Sequence, residues 1–229
     1  MLFMPFDELY LFLVLPAMLF ALIAQFKVSS SFKKHSQRMT AKRITGAEAA
    51  REVLRQSGVT DVRIERVGGK LTDHFDPRSN VIRLSDSVHD SPSVAAVGVA
   101  AHEAGHALQY ANKYFPMKIR SAIIPITNIG SKLAMPLVII GLVTEFTGLI
   151  NLGILLFGTV VIFQLITLPV EFNASRRAIK ILDSSAMLAR DEVPAAKKVL
   201  SAAALTYVGA LAVSLAHMVR LLAMAKRRR

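Results

Sequence analysis

Two histidines and a glutamate lie close together in the segment His102-Glu103-Ala104-Gly105-His106. Residues four apart share one face of an α-helix, so the imidazoles of His102 and His106 could both reach one metal ion. Zinc is bound in this way in many hydrolases, and Glu103 would then accept a proton from a zinc-bound water. The spacing therefore predicts a zinc site with a general base beside it. The alternative is a pair of structural histidines that happen to lie one helical turn apart.

The flanking residues predict the helix that carries this motif. It is expected to begin at Ser91, with Pro92 at its first position, and to continue to Tyr110. Thr45 and Glu48 have the spacing of a capping box, which predicts an earlier helix over residues 45–58.

Three strands are predicted between these helices, over residues 62–67, 71–74 and 80–84, with a turn at Asp76-Pro77. Helices and strands of this kind indicate an α+β domain. The strand of residues 80–84 comes just before the motif helix. It is therefore our candidate for the edge along which an extended peptide would bind.

Two histidines leave a zinc ion short of a protein ligand. The chain has no cysteine, and Gln109 and Asn112 stand where a metzincin would have its glycine and third histidine. A carboxylate from a later helix is the other common solution. The candidates are Glu145, Glu171, Asp183, Asp191 and Glu192.

The hydrophobic residues are concentrated in apolar segments, some of which are long enough to cross a membrane. Leu9–Phe26 and Phe146–Val170 contain no charged residue and have spanning length. Leu133–Thr144 is apolar but short, and it predicts a helical hairpin with the segment that follows, turning near residues 145–148. Val199–Val219 is a fourth uncharged segment. We expect three or four transmembrane helices.

Basic residues near these segments predict the orientation in the membrane, because Lys and Arg accumulate on the cytoplasmic side. They follow the first span and flank both ends of the hairpin, so the N-terminus is predicted to face out and the hairpin ends to face the cytoplasm. This topology returns Glu171 to the side of His102, which favours it as the third ligand over an ordinary residue at the membrane interface. The basic tail, Lys226 to Arg229, would be exported by a fourth span, so we favour a last helix that does not cross.

The charge distribution argues against nucleic acid as a partner. The chain carries 28 Lys and Arg against 16 Asp and Glu, a net charge of +12, yet 53% of its residues are hydrophobic and its mean hydropathy is +0.44. Six of the basic residues lie between Lys27 and Arg43 and four in the tail, beside apolar segments. They are placed to meet anionic lipid head groups.

Motifs shared with a known family lie at residues 71–78, 83–85, 100–106, 168–178 and 196–207. In these segments the chain resembles the YugP-type neutral zinc metallopeptidases of bacterial membranes. In plan this family is similar to the HtpX-like membrane proteases, in which a glutamate at the start of an E-F-x-A-type motif is the third zinc ligand. Carried over by motif, that residue is Glu171. Asn173 departs from the family pattern, where aspartate is usual, so any supporting role there would act through an amide.

The resemblance implies an α+β zincin-like metallopeptidase domain combined with transmembrane helices. We expect a zinc endopeptidase of the bacterial inner membrane, with one Zn²⁺ per chain, a cytoplasmic active site and membrane or misfolded proteins as substrates. Arg176, Arg177, Tyr207 and His217 are candidates for stabilising the oxyanion. A zinc-binding adaptor or chaperone without hydrolytic turnover is the alternative, and a scaffold with an accidental motif is a third.

The expected organisation has five parts. An anchor over residues 1–27 precedes the zincin core of residues 28–122, and the transmembrane hairpin covers residues 123–170. The third-ligand helix and the rest of the catalytic domain take residues 171–198, and an apolar helix with its basic tail takes residues 199–229.

Overall fold

The computed structural model describes residues 7–226, so Arg227, Arg228 and Arg229 of the predicted basic tail lie outside the described residues. The chain divides into two compact units. One, here called the helical unit, is formed by the described residues 7–24, 118–168 and 205–226. The other, here called the sheet unit, is formed by residues 25–117 and 169–204.

Seven α-helices and three β-strands make up the described chain. A π-helical turn at Tyr10–Val14 leads into α1. The helices are α1 (Leu15–Ser36), α2 (Gly46–Gln56), α3 (Asp86–His89), α4 (Val94–Ala111), α5 (Phe115–Val143), α6 (Thr147–Ser184) and α7 (Val193–Lys226). The strands are β1 (Arg63–Val67), β2 (His74–Asp76) and β3 (Val81–Ser85).

Four helices are long and apolar enough to cross a membrane: Tyr10–Ser36, α5, α6 and α7. Each covers one of the predicted apolar segments to within one residue, and all four extend well beyond it at one end or both. The helix over the short segment of residues 133–144 begins at Phe115 and includes Pro125 and Pro136. Glu171 comes directly after the uncharged segment of residues 146–170, but the helix does not end there, since α6 continues through Glu171 to Ser184.

Close backbone contacts at glycines hold α5 and α6 antiparallel in the helical unit. A Cβ on Gly153 would lie 2.7 Å from the carbonyl oxygen of Ala134, and one on Gly141 would lie 2.8 Å from the backbone nitrogen of Ile150. Small residues allow helix backbones to approach in this way where the bilayer offers little hydrophobic drive. The connection between the helices turns at Glu145, which has a positive φ of 56°.

The first and last helices of the helical unit also pack antiparallel. Gly209 of α7 approaches α1 so closely that a Cβ on it would lie 2.9 Å from the Cα of Ala21. Towards the other end, Arg220 Nε donates to both carboxylate oxygens of Asp7, at 3.1 and 3.2 Å. Residues 7 and 220 therefore lie at the same end of this unit.

The sheet unit contains a three-stranded sheet in the order β1-β3-β2. β3 pairs parallel with β1 and antiparallel with β2. Two sequence predictions are corrected here. The second strand is His74–Asp76 and not residues 71–74, and the segment of residues 80–84 is the central strand, with partners on both sides. Its backbone cannot serve as a free edge for a peptide.

The helices of the sheet unit begin as their capping residues dictate. The capping box of α2 is confirmed, since Thr45 Oγ1 accepts from the backbone N–H of Glu48 and the Glu48 carboxylate accepts from the backbone N–H of Thr45. The motif helix is also confirmed, but it begins two residues later than predicted. Ser93 is the N-cap of α4, with its side chain accepting from Ala96 N–H, so Pro92 precedes the cap.

The core of the sheet unit lies where α4 meets its neighbours. Its fully buried side chains come from α2, α3, β3, α4, α6 and α7, and they include Val53, Val88, Leu84, Val97, Leu182 and Ala196. Almost every residue of α4 is buried, because apolar and small residues cover it on most sides. The HEAGH motif is thus carried on the most enclosed helix of the unit.

Candidate metal centre

Close packing of α4 against α6 brings the two halves of the site together. Gly105, inside the HEAGH segment, is the point of closest approach, since a Cβ there would lie 2.6 Å from the carbonyl oxygen of Ala174. Any larger residue would push the helices apart. Glycine at this position therefore sets the distance between the histidines of α4 and the side chains of α6.

Glu171 of α6 lies directly opposite the two histidines of α4. Its Oε2 is 3.2 Å from His102 Nε2 and 3.5 Å from His106 Nε2. The three candidate ligand atoms lie within 4.8 Å of one another. Glu171 and His106 are buried, and the side chain of His102 is only 14% exposed. The structure thus brings together the three residues that the sequence indicated as ligands.

The donor set fits a zinc ion. Each imidazole uses its Nδ1 for a hydrogen bond, His102 with Ser175 Oγ and His106 with Gln109 Oε1, both at 3.0 Å. Both Nε2 atoms therefore face the carboxylate of Glu171. Two imidazoles and one carboxylate form the three-ligand set of many catalytic zinc sites, which leave a fourth position open.

Two of the other carboxylates considered as ligands are engaged elsewhere. Asp191 forms an ion pair with Arg38, and the Glu192 carboxylate accepts from the backbone N–H groups of Ala41 and Ala189, at 2.7 and 2.8 Å. Glu192 is as buried as Glu171, but it satisfies the backbone. The residues next to Glu171 and Glu192 in the sequence do not show which glutamate could bind a metal. Their partners in the structure do, since Glu171 faces the histidines and Glu192 accepts from backbone N–H groups.

Burial raises the pKa of Glu103 to about 7, and the nearby carboxylates of Glu171 and Asp73 act in the same direction, while His102 and His74 oppose it. Among the described residues no side chain or backbone group donates a hydrogen bond to its carboxylate. A carboxyl group whose pKa lies near neutrality can both accept and release a proton at physiological pH. A bound cation would lower this pKa and so favour the ionised, proton-accepting form.

Gln109 and Ser175 are the functional neighbours that sequence reasoning missed. Gln109 entered the sequence analysis only as a departure from the metzincin pattern, and Ser175 had no role. Their signal was present in the spacing, since Gln109 lies three residues after His106 and Ser175 lies four residues after Glu171, each on the same helical face. Which face meets the metal ligands depends on how α4 and α6 pack.

The two aspartates that precede β3 have structural partners. Asp73 accepts from the backbone N–H and the hydroxyl of Ser85, at 2.7 and 3.1 Å. Asp76 accepts from Arg78 N–H and Ser79 Oγ, and these hydrogen bonds lower its pKa to about 2. The turn that was predicted at Asp76 is confirmed.

The four candidates for oxyanion stabilisation fall in different surroundings. Arg176 is exposed. Arg177 Nε donates to Asn173 Oδ1 at 2.8 Å, and its guanidinium lies 6.0 Å from the ring centroid of Tyr114. Tyr207 and His217 belong to the helical unit, where the His217 ring contacts Phe157. Within the sheet unit, no described interaction brings Arg176 or Arg177 into contact with His102, His106 or Glu171.

Comparison with known proteins agrees with this geometry. The profile of a family described as "Putative neutral zinc metallopeptidase" matches residues 10–226. This chain belongs to that family. It is also 47% identical over 212 residues to "Putative membrane protease YugP" of Bacillus subtilis (strain 168), covering 93% of this chain and 94% of that protein. No solved structure matches the chain.

The resemblance proposed from sequence motifs is therefore confirmed, and it extends over nearly the whole chain. Zinc is the cofactor that the family implies, and His102, His106 and Glu171 are the group that could hold it. The protein is a membrane protein of the zinc metallopeptidase family, with a protein or peptide as its substrate class.

Proposed function

We propose that this protein is a membrane-embedded zinc metalloendopeptidase with a zincin-like catalytic unit and one Zn²⁺ per chain. One observation carries the proposal. Glu171 lies within 3.5 Å of both motif histidines, and the buried Glu103 lies on the same helix as those histidines. Three ligands and a base are the parts that peptide hydrolysis by a zinc enzyme requires.

Glu103 is the proposed general base. A zinc ion held by His102, His106 and Glu171 would lower the pKa of a water molecule and polarise the scissile carbonyl group. Glu103 takes the proton released by that water and then delivers it to the leaving amine, which its near-neutral pKa permits.

β2 is the proposed edge for the substrate main chain. The sheet order leaves β1 and β2 at the edges, and β2 packs against the motif helix, with the rings of Phe75 and Tyr110 5.8 Å apart between centroids. An extended peptide paired with β2 would gain main-chain hydrogen bonds beside α4. This replaces β3, which was the sequence-based candidate.

We also propose that the catalytic unit faces the cytoplasm. The basic residues that follow the first span and those on both sides of the α5–α6 pair support this orientation, and they would contact anionic lipid head groups. Because α7 packs antiparallel to the first helix, we now favour four crossings. Both chain ends would then lie outside, and a C-terminal tag should be accessible only from outside the cell. A tag accessible only from the cytoplasm would contradict this topology.

The decisive experiment measures zinc and peptide cleavage in the same preparations. The full chain purified without chelator is expected to contain about one zinc per molecule and to cleave an unfolded protein substrate. Glu103→Gln should retain the zinc and lose at least about 100-fold in cleavage rate, because the general base is absent. Glu52→Gln, on the exposed part of α2, is the matched control and should retain both.

Two results would contradict the proposal. A native chain with stoichiometric zinc that cleaves no peptide bond would favour a zinc-binding adaptor. A chain that binds no zinc would make the HEAGH segment a structural coincidence.

A further inference from the structure

We infer that Gln109 is a positioning residue that holds His106 in the one tautomer able to bind a metal through Nε2. The inference rests on the proposed metal site and adds a residue to it. Gln109 is fully buried and makes three hydrogen bonds. Its Oε1 faces His106 Nδ1 at 3.0 Å, and its Nε2 faces both the Val170 carbonyl oxygen at 2.7 Å and Asn173 Oδ1 at 3.0 Å.

The partners of Gln109 determine which way its amide points. A backbone carbonyl oxygen can only accept, so the amide atom that faces Val170 must be the donating Nε2. The bond to Asn173 gives the same answer by a separate route. Arg177 Nε can only donate, which makes the Asn173 atom it contacts the acceptor Oδ1, and Gln109 must donate to that oxygen too.

The orientation of the amide then determines the proton position on His106. Because Nε2 of Gln109 donates to two groups of α6, its Oε1 must face the His106 imidazole. A carbonyl oxygen can only accept a hydrogen bond. His106 Nδ1 therefore carries the proton. In a neutral imidazole this leaves a lone pair on Nε2, the atom that lies 3.5 Å from Glu171 Oε2.

His102 has no comparable constraint. Its Nδ1 partner is Ser175 Oγ, and a hydroxyl group can donate or accept by rotating about its C–O bond. The serine therefore allows either tautomer of His102, whereas the glutamine allows one tautomer of His106. The two candidate ligand histidines therefore differ in the hydrogen-bond partner of their Nδ1 atoms. Only the tautomer of His106 is determined by its partner, because the Gln109 oxygen can accept but not donate.

Gln109 also connects the metal ligand to α6 without adding charge. A carboxylate at this position would repel the Val170 carbonyl oxygen and Asn173 Oδ1. The neutral amide satisfies all three neighbours at once, so His106 is held against the helix that carries Glu171. Losing such a hydrogen-bond partner of a ligand histidine lowers metal affinity by about 10- to 100-fold in other proteins.

The test measures zinc affinity of the full chain in detergent by competition with a chelator. Gln109→Met keeps the size and burial of the side chain but removes every hydrogen bond, and its Kd for zinc is expected to rise about 10- to 100-fold. Co²⁺ in place of zinc should show an altered visible spectrum in this variant, since His106 is free to rotate. Gln56→Met, at an exposed position of α2, is the matched control and should bind zinc with the native Kd and give the native spectrum.

Gln109→Glu separates the bond to His106 from the two bonds to α6, because a carboxylate accepts from His106 Nδ1 but cannot donate to Val170 or Asn173. It packs less favourably against α6 but should still bind zinc more tightly than Gln109→Met, which a purely structural role would not predict. A native Kd and native Co²⁺ spectrum in Gln109→Met would overturn the inference.

A second measurement does not depend on variants that fold. In the metal-free native chain at pH 8, ¹⁵N chemical shifts of labelled histidines should show His106 protonated at Nδ1, and protonation at Nε2 would overturn the inference. Failure of the proposed function is recognised separately. If the native chain holds zinc but cleaves no peptide, the comparison of Kd values still decides the role of Gln109.

Discussion

Two polar clusters in this protein differ in the partners of their carboxylates. In the helical unit, the Asp7 carboxylate accepts from Arg220 Nε and from Tyr10 N–H, and the Arg220 guanidinium lies 5.3 Å from the Tyr10 ring centroid. In the sheet unit, the imidazoles of His102 and His106 face the Glu171 carboxylate, and the described residues supply no hydrogen bond to the Glu103 carboxylate. The first cluster contains an ion pair between Asp7 and Arg220, whereas the second contains the candidate ligands of a metal ion.

The difference lies in the groups placed around each carboxylate. A buried carboxylate without enough donors is unfavourable, so the fold must compensate elsewhere for the burial of Glu103. Asp7 forms its ion pair with Arg220 within the helical unit. The sheet unit instead places Glu171 beside two histidines, a donor set that could hold a divalent cation. The comparison can be tested by removing each charge in turn.

The largest effect is expected from Glu171→Ala, which removes the only carboxylate of the candidate ligand set. We expect loss of stoichiometric zinc, with affinity lowered by more than the roughly 100-fold seen for residues that support ligands. Zinc content after gel filtration is the measurement. Glu192→Ala is the matched control, a second buried glutamate whose partners are backbone N–H groups. It should lower thermal stability but retain zinc, and retained zinc in both variants would place the third ligand elsewhere.

Removing Asp7 should destabilise the helical unit by about 3 kcal/mol, because it leaves the buried Arg220 guanidinium without its partner carboxylate. The expected signature of Asp7→Ala is a lower melting temperature in detergent with unchanged zinc content. Glu8→Ala, the adjacent but exposed carboxylate, should have little effect. Equal melting temperatures for the two variants would show that the ion pair is not a source of stability.

Glu103→Gln should stabilise the metal-free protein at high pH. The pKa of this carboxyl rises from 4.5 to about 7 on folding, so the native chain loses stability as the pH rises through this interval. The loss is about 3 kcal/mol above pH 7, and glutamine avoids it because it stays neutral. Melting temperatures with chelator should therefore agree near pH 4.5 and differ at pH 8, with the variant higher. A native chain that is the more stable at pH 8 would contradict this.

The smallest change is expected from a single methyl group between α4 and α6. Gly105→Ala would place a Cβ 2.6 Å from the Ala174 carbonyl oxygen, at a cost of about 1 to 3 kcal/mol and with weaker zinc binding as the ligands separate. Gly98→Ala is the control on the same helix, since its Cβ would lie at an ordinary 3.5 Å from Ala196 Cβ. If both variants bind zinc equally well, the close approach at Gly105 does not determine the site.

Sequence patterns predicted the parts of this protein that depend on neighbours along the chain. The capping box at Thr45 and the helical face shared by His102 and His106 follow from spacing alone, and both are present. Glu171 was predicted from the distribution of apolar residues. The apolar hairpin between α4 and Glu171 was expected to return the chain to the side of the membrane where His102 lies.

What the sequence did not reveal depends on contacts between distant segments. The strand of residues 81–85 became central because two other strands pair with it, and alternation along one strand carries no information on its neighbours. The predicted organisation separated the hairpin from the third-ligand helix at residue 171, where the uncharged segment ends. Helix formation depends on backbone hydrogen bonds and not on hydropathy, so α6 continues. Gln109 was missed because a buried amide is recognised only by its partners.

The antiparallel contact of the first and last helices also sets an order of events during synthesis. Asp7 is made among the first residues, but Arg220 follows 213 residues later. At about 5 to 20 residues per second, the N-terminal span waits roughly 10 to 40 s for the partner that neutralises its aspartate. A ribosome that stops before residue 220 would release a chain whose first helix lacks its contact with Arg220.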